Sequence, residues 1–190
     1  MLTILLLLAV PVALLGWAGW IFNRLVRLQN RSQASWSDVD VQLKRRHDLV
    51  GNLVETVKGY ARHERSTLEQ VIRVRTLAED ARNSGRPEFA GPAEERLTGG
   101  VRQLLALVEA YPDLKASERF LDLQRALTEV ENALQNARRY YNAVVRDLNT
   151  RIQSFPDLLV SRTLGFEQRE FFELQHPEET QAPRVEMDDG

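Results

Sequence analysis

Leu2-Thr3-Ile4-Leu5-Leu6-Leu7-Leu8-Ala9-Val10-Pro11-Val12-Ala13-Leu14-Leu15-Gly16-Trp17-Ala18-Gly19-Trp20-Ile21-Phe22 is an uncharged apolar run, and Arg24, Arg27 and Arg31 follow it directly. Its length of about 21 residues matches the roughly 20 that a helix needs to cross a bilayer core. A cleaved signal peptide would instead open on a basic segment, carry a shorter apolar core and close on small residues. Met1-Leu2-Thr3 holds no basic side chain, and Trp17 and Trp20 occupy the far end of the run. Tryptophan suits the lipid–water boundary, where its ring stays apolar and its N–H meets water. Residues 1–23 are therefore expected to be a retained transmembrane anchor, with Trp17, Trp20, Arg24 and Arg27 as its interface anchors. A lipoprotein anchor needs a lipidated cysteine, and the chain contains none.

Arginine and lysine next to a membrane segment tend to stay cytoplasmic, and here they all lie on the C-terminal side. The expectation is a single pass, N-terminus outside, with the following domain in the cytoplasm. Ala9, Ala13 and Gly16 fall at steps of four and three and form a strip of small residues. Such strips let membrane helices approach closely, so self-association through the anchor is expected.

About 168 residues follow the anchor, enough for one domain with a real core. A net charge of -2 and a pI near 6.0 argue against a nucleic-acid partner, which would call for a concentrated basic face. From Asn23 to about Asn83 there is no proline, and Trp36, Val39, Leu43, Val50, Leu53, Val57, Tyr60, Leu68 and Val71 recur at helical spacing. This predicts one long amphipathic helix, on the order of 120 Å if unbroken from the anchor. A break near Asn30 to Ser37, where polar residues crowd, is equally allowed. Asn83-Ser84-Gly85-Arg86-Pro87 stops the helix, and Gly91-Pro92 extends the loop.

A second helix is expected from Ala93 to about Tyr111, or beginning only after Gly99-Gly100. A third should run from about Leu114 to Ser154, ended by Phe155-Pro156. Asp157 to Leu164 can form a short fourth helix closed by Gly165. Phe166, Phe171 and Phe172 offer apolar anchors for the irregular segment after it. The bundle is assigned to residues 24–174. Residues 175–190, rich in Pro, Glu and Asp, are expected to be a disordered acidic tail. The fold class is all-α: a transmembrane helix followed by an antiparallel helical bundle.

Little in the chain suggests catalysis. Thiol chemistry is excluded, and His47 and His63 lie about 160° apart around one helix, too far round to share a metal. No metalloprotease, phosphate-loop or nucleophile-elbow motif is present. No enzyme activity, cofactor or metal is expected. Lys44-Arg45-Arg46-His47-Asp48 is the tightest basic cluster and is read as a solvated face, with Asp40 and Lys44 paired at i,i+4. Arg138, Asn142, Arg146 and Asn149 line one face of the third helix, and are read as a polar seam that fixes helix register.

Longer strings carry a resemblance. Trp36-Ser37-Asp38-Val39-Asp40-Val41-Gln42-Leu43-Lys44-Arg45-Arg46-His47-Asp48-Leu49 and Asn52-Leu53-Val54-Glu55-Thr56-Val57-Lys58-Gly59-Tyr60 resemble the first long helix of the LemA family. Tyr111-Pro112-Asp113-Leu114-Lys115 resembles its interhelix turn, and Arg139-Tyr140-Tyr141-Asn142, Phe155-Pro156 and Leu164-Gly165-Phe166 its C-terminal signature. The resemblance covers nearly the whole chain. It implies a single-pass bacterial inner-membrane protein with a cytoplasmic helical bundle and no defined catalytic residues. The ties of related proteins to membrane remodelling and to envelope-stress or protease neighbourhoods suggest scaffolding rather than turnover. Gly51 stands where the family usually has proline, which weakens the case for a kink there.

The function expected is a membrane-anchored scaffold or interaction protein, homo-oligomeric, with the lipid bilayer and a membrane protein as partners. The alternative is an adaptor for a membrane enzyme such as an envelope-stress protease, with the acidic tail as a recruitment segment.

Overall fold

A computed structural model describes residues 2–61 and 63–173, with side chains from Ala9 onward. The expected tail, residues 175–190, lies outside the described residues. Among these, the chain forms helices and loops only. Helix α1 spans Leu2–Lys58, α2 Arg65–Asn83, α3 Pro87–Val108, α4 Pro112–Lys115, α5 Glu118–Gln153 and α6 Asp157–Thr163. A turn at residues 164–165 and a strap without regular secondary structure, residues 166–173, follow α6.

Helix α1 is the spine, about 85 Å long at 1.5 Å per residue. It is continuous from the apolar run into the bundle and does not break at Asn30 to Ser37. The polar residues there are absorbed locally: Ser35 Oγ donates to Ser32 O (2.9 Å) and Ser37 Oγ to Gln33 O (3.2 Å). Gly51 also sits within unbroken helix.

The break comes instead after Lys58, correcting the expected helix to Asn83. The amides of Tyr60 and Ala61 both bond to the Val57 carbonyl, and the chain turns back into α2. Val57, Leu68 and Val71 belong to one core, so the apolar spacing runs on across the turn. A stripe shared by two helices of a hairpin has the same period as one on a straight helix.

Helix α3 also begins earlier than expected, with Pro87 at its first position and Gly85 at φ 68° before it. Gly91 and Pro92 therefore lie inside a helix, not in a loop. Gly91 is there because the strap crosses it: a Cβ would collide with the Glu173 carbonyl. Gly100 is similarly constrained, since a Cβ would stand 2.9 Å from Val74 Cγ2 on α2. The expected third helix is divided into α4 and α5, while α6 and its glycine cap at Gly165 (φ 70°) form as expected.

Helix α5 runs antiparallel to α1, and three cores mark their shared length. At the far end α1, α2, α3 and the start of α5 bury Val50, Leu53, Val57, Leu97, Leu104 and Phe120. In the middle Trp36, Leu43, Leu134, Tyr141, Val145 and Phe172 come together. Beside the apolar run, Ile21 and Leu25 meet Leu148 and Ile152, with Val160 and Phe166 against them.

Candidate functional site

Residues 9–20 of α1 project beyond the bundle. Val10, Val12, Leu14 and Leu15 are 56–73% exposed, so the helix is apolar and uncovered on every side. Among the described residues this is the one helix long and apolar enough to cross a membrane. Ala9, Ala13 and Gly16 are exposed along it, and nothing lies within 4 Å of a Cβ built on Gly16. Trp17 and Trp20 are exposed too, and the Arg24 guanidinium lies 5.3 Å from the centre of the Trp20 ring. This contact lets an arginine at the end of an apolar helix keep its charge in a polar layer while its stem covers the ring.

Where the apolar run meets the bundle, α1 and α5 enclose a groove of about 800 Å³ lined by Arg24, Arg27, Arg31, Arg146 and Arg151, with Asp147 the sole acidic group. Two of the interface arginines and one arginine of the expected seam thus share one surface, across more than a hundred residues of sequence. Arg31 is held by Tyr140, donating from Nε to its hydroxyl at 2.8 Å. Arg151 approaches Asp157 at 3.9 Å.

The seam residues divide into two kinds. Asn142 donates from Nδ2 to Phe172 O (3.1 Å) and accepts from Phe172 N (2.9 Å). Asn149 does the same with Arg169, donating to its carbonyl and accepting from its amide at 2.9 Å each. Each carboxamide thereby pairs with a backbone donor and acceptor as a neighbouring strand would. The two asparagines hold the strap rather than a neighbouring helix. On the strap, Glu170 lies between Arg169 and Phe172 and its carbonyl accepts from the Tyr141 hydroxyl (2.8 Å), while the Tyr141 ring packs against Trp36, which also contacts Phe172. Burial pushes the Tyr141 hydroxyl up from 10.0 to about 12, against the lowering influence of Arg169. Arg146 is exposed and Arg138 half-buried.

The basic cluster on α1 is not a solvated face. Lys44, Arg45 and Asp48 are exposed, but Arg46 and His47 are 2% and 1% exposed. Arg46 donates from Nε to Glu131 Oε1 (2.7 Å), from Nη2 to Thr98 Oγ1 (2.7 Å) and from Nη1 to the Glu94 carboxylate. His47 Nε2 meets the other Glu94 oxygen at 2.6 Å. Glu94 itself is 1% exposed and the Glu131 side chain 42% exposed, so the cluster joins α1 and α3 through a buried ion network whose outer link reaches α5. Asp40 pairs with Arg82 of α2 at 3.6 Å, not with Lys44. No sequence signal placed Glu94 opposite Arg46, because the two lie 48 residues apart on separate helices. Among the described residues, no three histidine, aspartate or glutamate side chains gather as a metal site would require.

The LemA family's model matches residues 35–187. Magnetosome protein MamQ 2 of Paramagnetospirillum magneticum is 26% identical over 178 residues, covering 80% of this chain and 64% of the relative. MamQ of Magnetospirillum gryphiswaldense is 25% identical, with the same coverage. Protein LemA of Metamycoplasma hominis is 25% identical over 167 residues, covering 87% of this chain and 74% of its own. The chain thus spans just under two-thirds of the length of the MamQ proteins. It belongs to the LemA family.

Proposed function

We propose that this LemA-family chain is a single-pass protein of the bacterial inner membrane whose helical bundle serves as a scaffold or interaction module, without catalytic activity of its own. The observation that carries this is the uncovered apolar segment at residues 9–20, continuous with the bundle through α1. Each large apolar side chain left in water forgoes about 1.5–3 kcal/mol of burial. A bilayer removes that loss and leaves the bundle's polar faces in water. An unbroken helix also couples the anchor to the bundle, so that assembly in the bilayer orders the domains above it.

The arginines after the run favour an outside N-terminus and a cytoplasmic bundle. The exposed strip of Ala9, Ala13 and Gly16 favours homo-oligomerisation through the anchor. The test is the mass of the full-length protein in mild detergent, by native mass spectrometry. A defined oligomer is expected, reduced to smaller particles when Ala9, Ala13 and Gly16 are all replaced by Leu. A monomer in both cases would remove the scaffold reading. Co-purification of such a monomer with one membrane protease at fixed ratio would put the adaptor reading in its place.

A further inference from the structure

The α5–α6 corner lies level with the last residues of the apolar run. Ile21 is fully buried in a core with Leu148 and Ile152, and the Phe22 and Phe166 rings meet edge to face at 5.9 Å. The corner is itself apolar on its outer side: Phe155, Leu158, Leu159 and Leu164 are 79%, 38%, 58% and 54% exposed. These four side chains fall within ten residues of sequence, and Asp157 of the same stretch approaches Arg151 of the arginine-lined groove at 3.9 Å.

We infer that the α5–α6 corner and the arginine groove form a second membrane contact, in which Phe155, Leu158, Leu159 and Leu164 enter the headgroup layer while the groove holds anionic lipid headgroups. This rests on the reading of Leu2–Phe22 as a membrane span. If that run crosses the bilayer, Ile152, Val160 and Phe166, which pack on Ile21 and Phe22, lie at the surface, and they bring with them the exposed Phe155, Leu158, Leu159 and Leu164 of the same short stretch of chain. There, leucine and phenylalanine gain from the acyl boundary, and arginines extend their stems along apolar surface to reach phosphates. The charge is of the right sign for an anionic leaflet, where each arginine near the surface shifts the docked equilibrium about fivefold. Two contacts, one through the bilayer and one beside it, would hold the bundle at a set angle to the membrane.

The chain has no cysteine, so single cysteines can carry an environment-sensitive fluorophore without background. Full-length protein labelled at Leu14→Cys, Val41→Cys or Leu159→Cys is placed in vesicles of phosphatidylglycerol and phosphatidylcholine containing a nitroxide-bearing lipid. Val41 is an exposed apolar residue about 28 Å along α1 from Phe22, and reports the aqueous reference. Quenching is expected at positions 14 and 159 and not at 41.

Arg27→Gln and Arg146→Gln should each lower the ratio of docked to undocked label at 159 about fivefold, and removal of phosphatidylglycerol should lower it too. A label at 159 as aqueous as that at 41, with position 14 quenched, overturns the second contact and leaves the span intact. Absence of quenching at 14 removes the span and the inference with it. Quenching at 159 that ignores both the arginine changes and the anionic lipid overturns the headgroup site.

Discussion

Arg46 and Arg146 stand on neighbouring antiparallel helices and have opposite fates. Arg46 sits among the three-helix contacts of α1, α3 and α5, bonded to two carboxylates and a hydroxyl and almost wholly removed from water. Arg146 lies near the apolar run, where α2 and α3 no longer cover the α1–α5 pair, and faces a groove with four other arginines. Both belong to basic or polar clusters in the sequence. What separates them is the number of helices around each and whether those helices bring carboxylates. Burying a guanidinium is tolerable only when partners neutralise and hydrogen-bond it, and near the middle of the bundle Glu94 and Glu131 do so.

The largest expected effect tests the buried side of this contrast. Glu94→Ala leaves Arg46 buried without its main carboxylate and should lower stability by about 3–5 kcal/mol, read by urea unfolding of the full-length protein in detergent. Glu94→Leu combined with Arg46→Met should recover part of the loss seen in Glu94→Leu alone, because the apolar pair needs no counter-charge while buried His47 still lacks its partner. Equal damage in the single and the double variant would show that shape, not charge, holds the three helices there.

A smaller change is expected at the strap. Asn149→Ala removes both bonds to the Arg169 backbone and should cost about 1–2 kcal/mol. Hydrogen exchange at the Arg169 amide should accelerate while that in α3 stays as it was. Uniform acceleration would mean that the strap and the bundle open together.

Tyr141 gives the pH dependence of the same region. Its hydroxyl titrates near 10.0 when unfolded and at about 12 when folded. The unfolded chain therefore loses its proton first, so the stabilisation is complete below pH 10 and declines as pH rises toward 12. Tyr141→Phe should flatten the stability profile in that window, and an unchanged profile would point to another group. The smallest effect belongs to the exposed side of the comparison: Arg146→Gln should leave stability within about 0.5 kcal/mol in the same unfolding assay. A larger loss would place Arg146 in the structural framework rather than in a lipid-facing groove.

The all-α class, the α5–α6 break, the Gly165 cap and the phenylalanine anchors were all legible in the sequence, because each rests on local spacing or on a backbone requirement. The α1–α2 turn was not, since Gly59-Tyr60 is a weak stop signal and the apolar stripe continues through it. Gly91 and Pro92 looked like a loop for an equally local reason. Only the strap, arriving from residue 173, shows why a helix carries glycine at that point. The seam at Asn142 and Asn149 was visible as a polar face, yet its partner is backbone, which has no sequence signature.

By itself the sequence determined that the chain has an apolar segment of membrane length, that arginines close it, and that the remainder is an amphipathic helical bundle of the LemA kind. These follow from hydropathy and period, which are properties of neighbouring residues. The tertiary structure decided which charges are buried and which remain in water. It carried Glu94 and Glu131 to Arg46, and it brought Arg146 and Arg151 of α5 to Arg24, Arg27 and Arg31 of α1. A charge's environment is set by whatever segments fold against it, and those segments are far away in the chain.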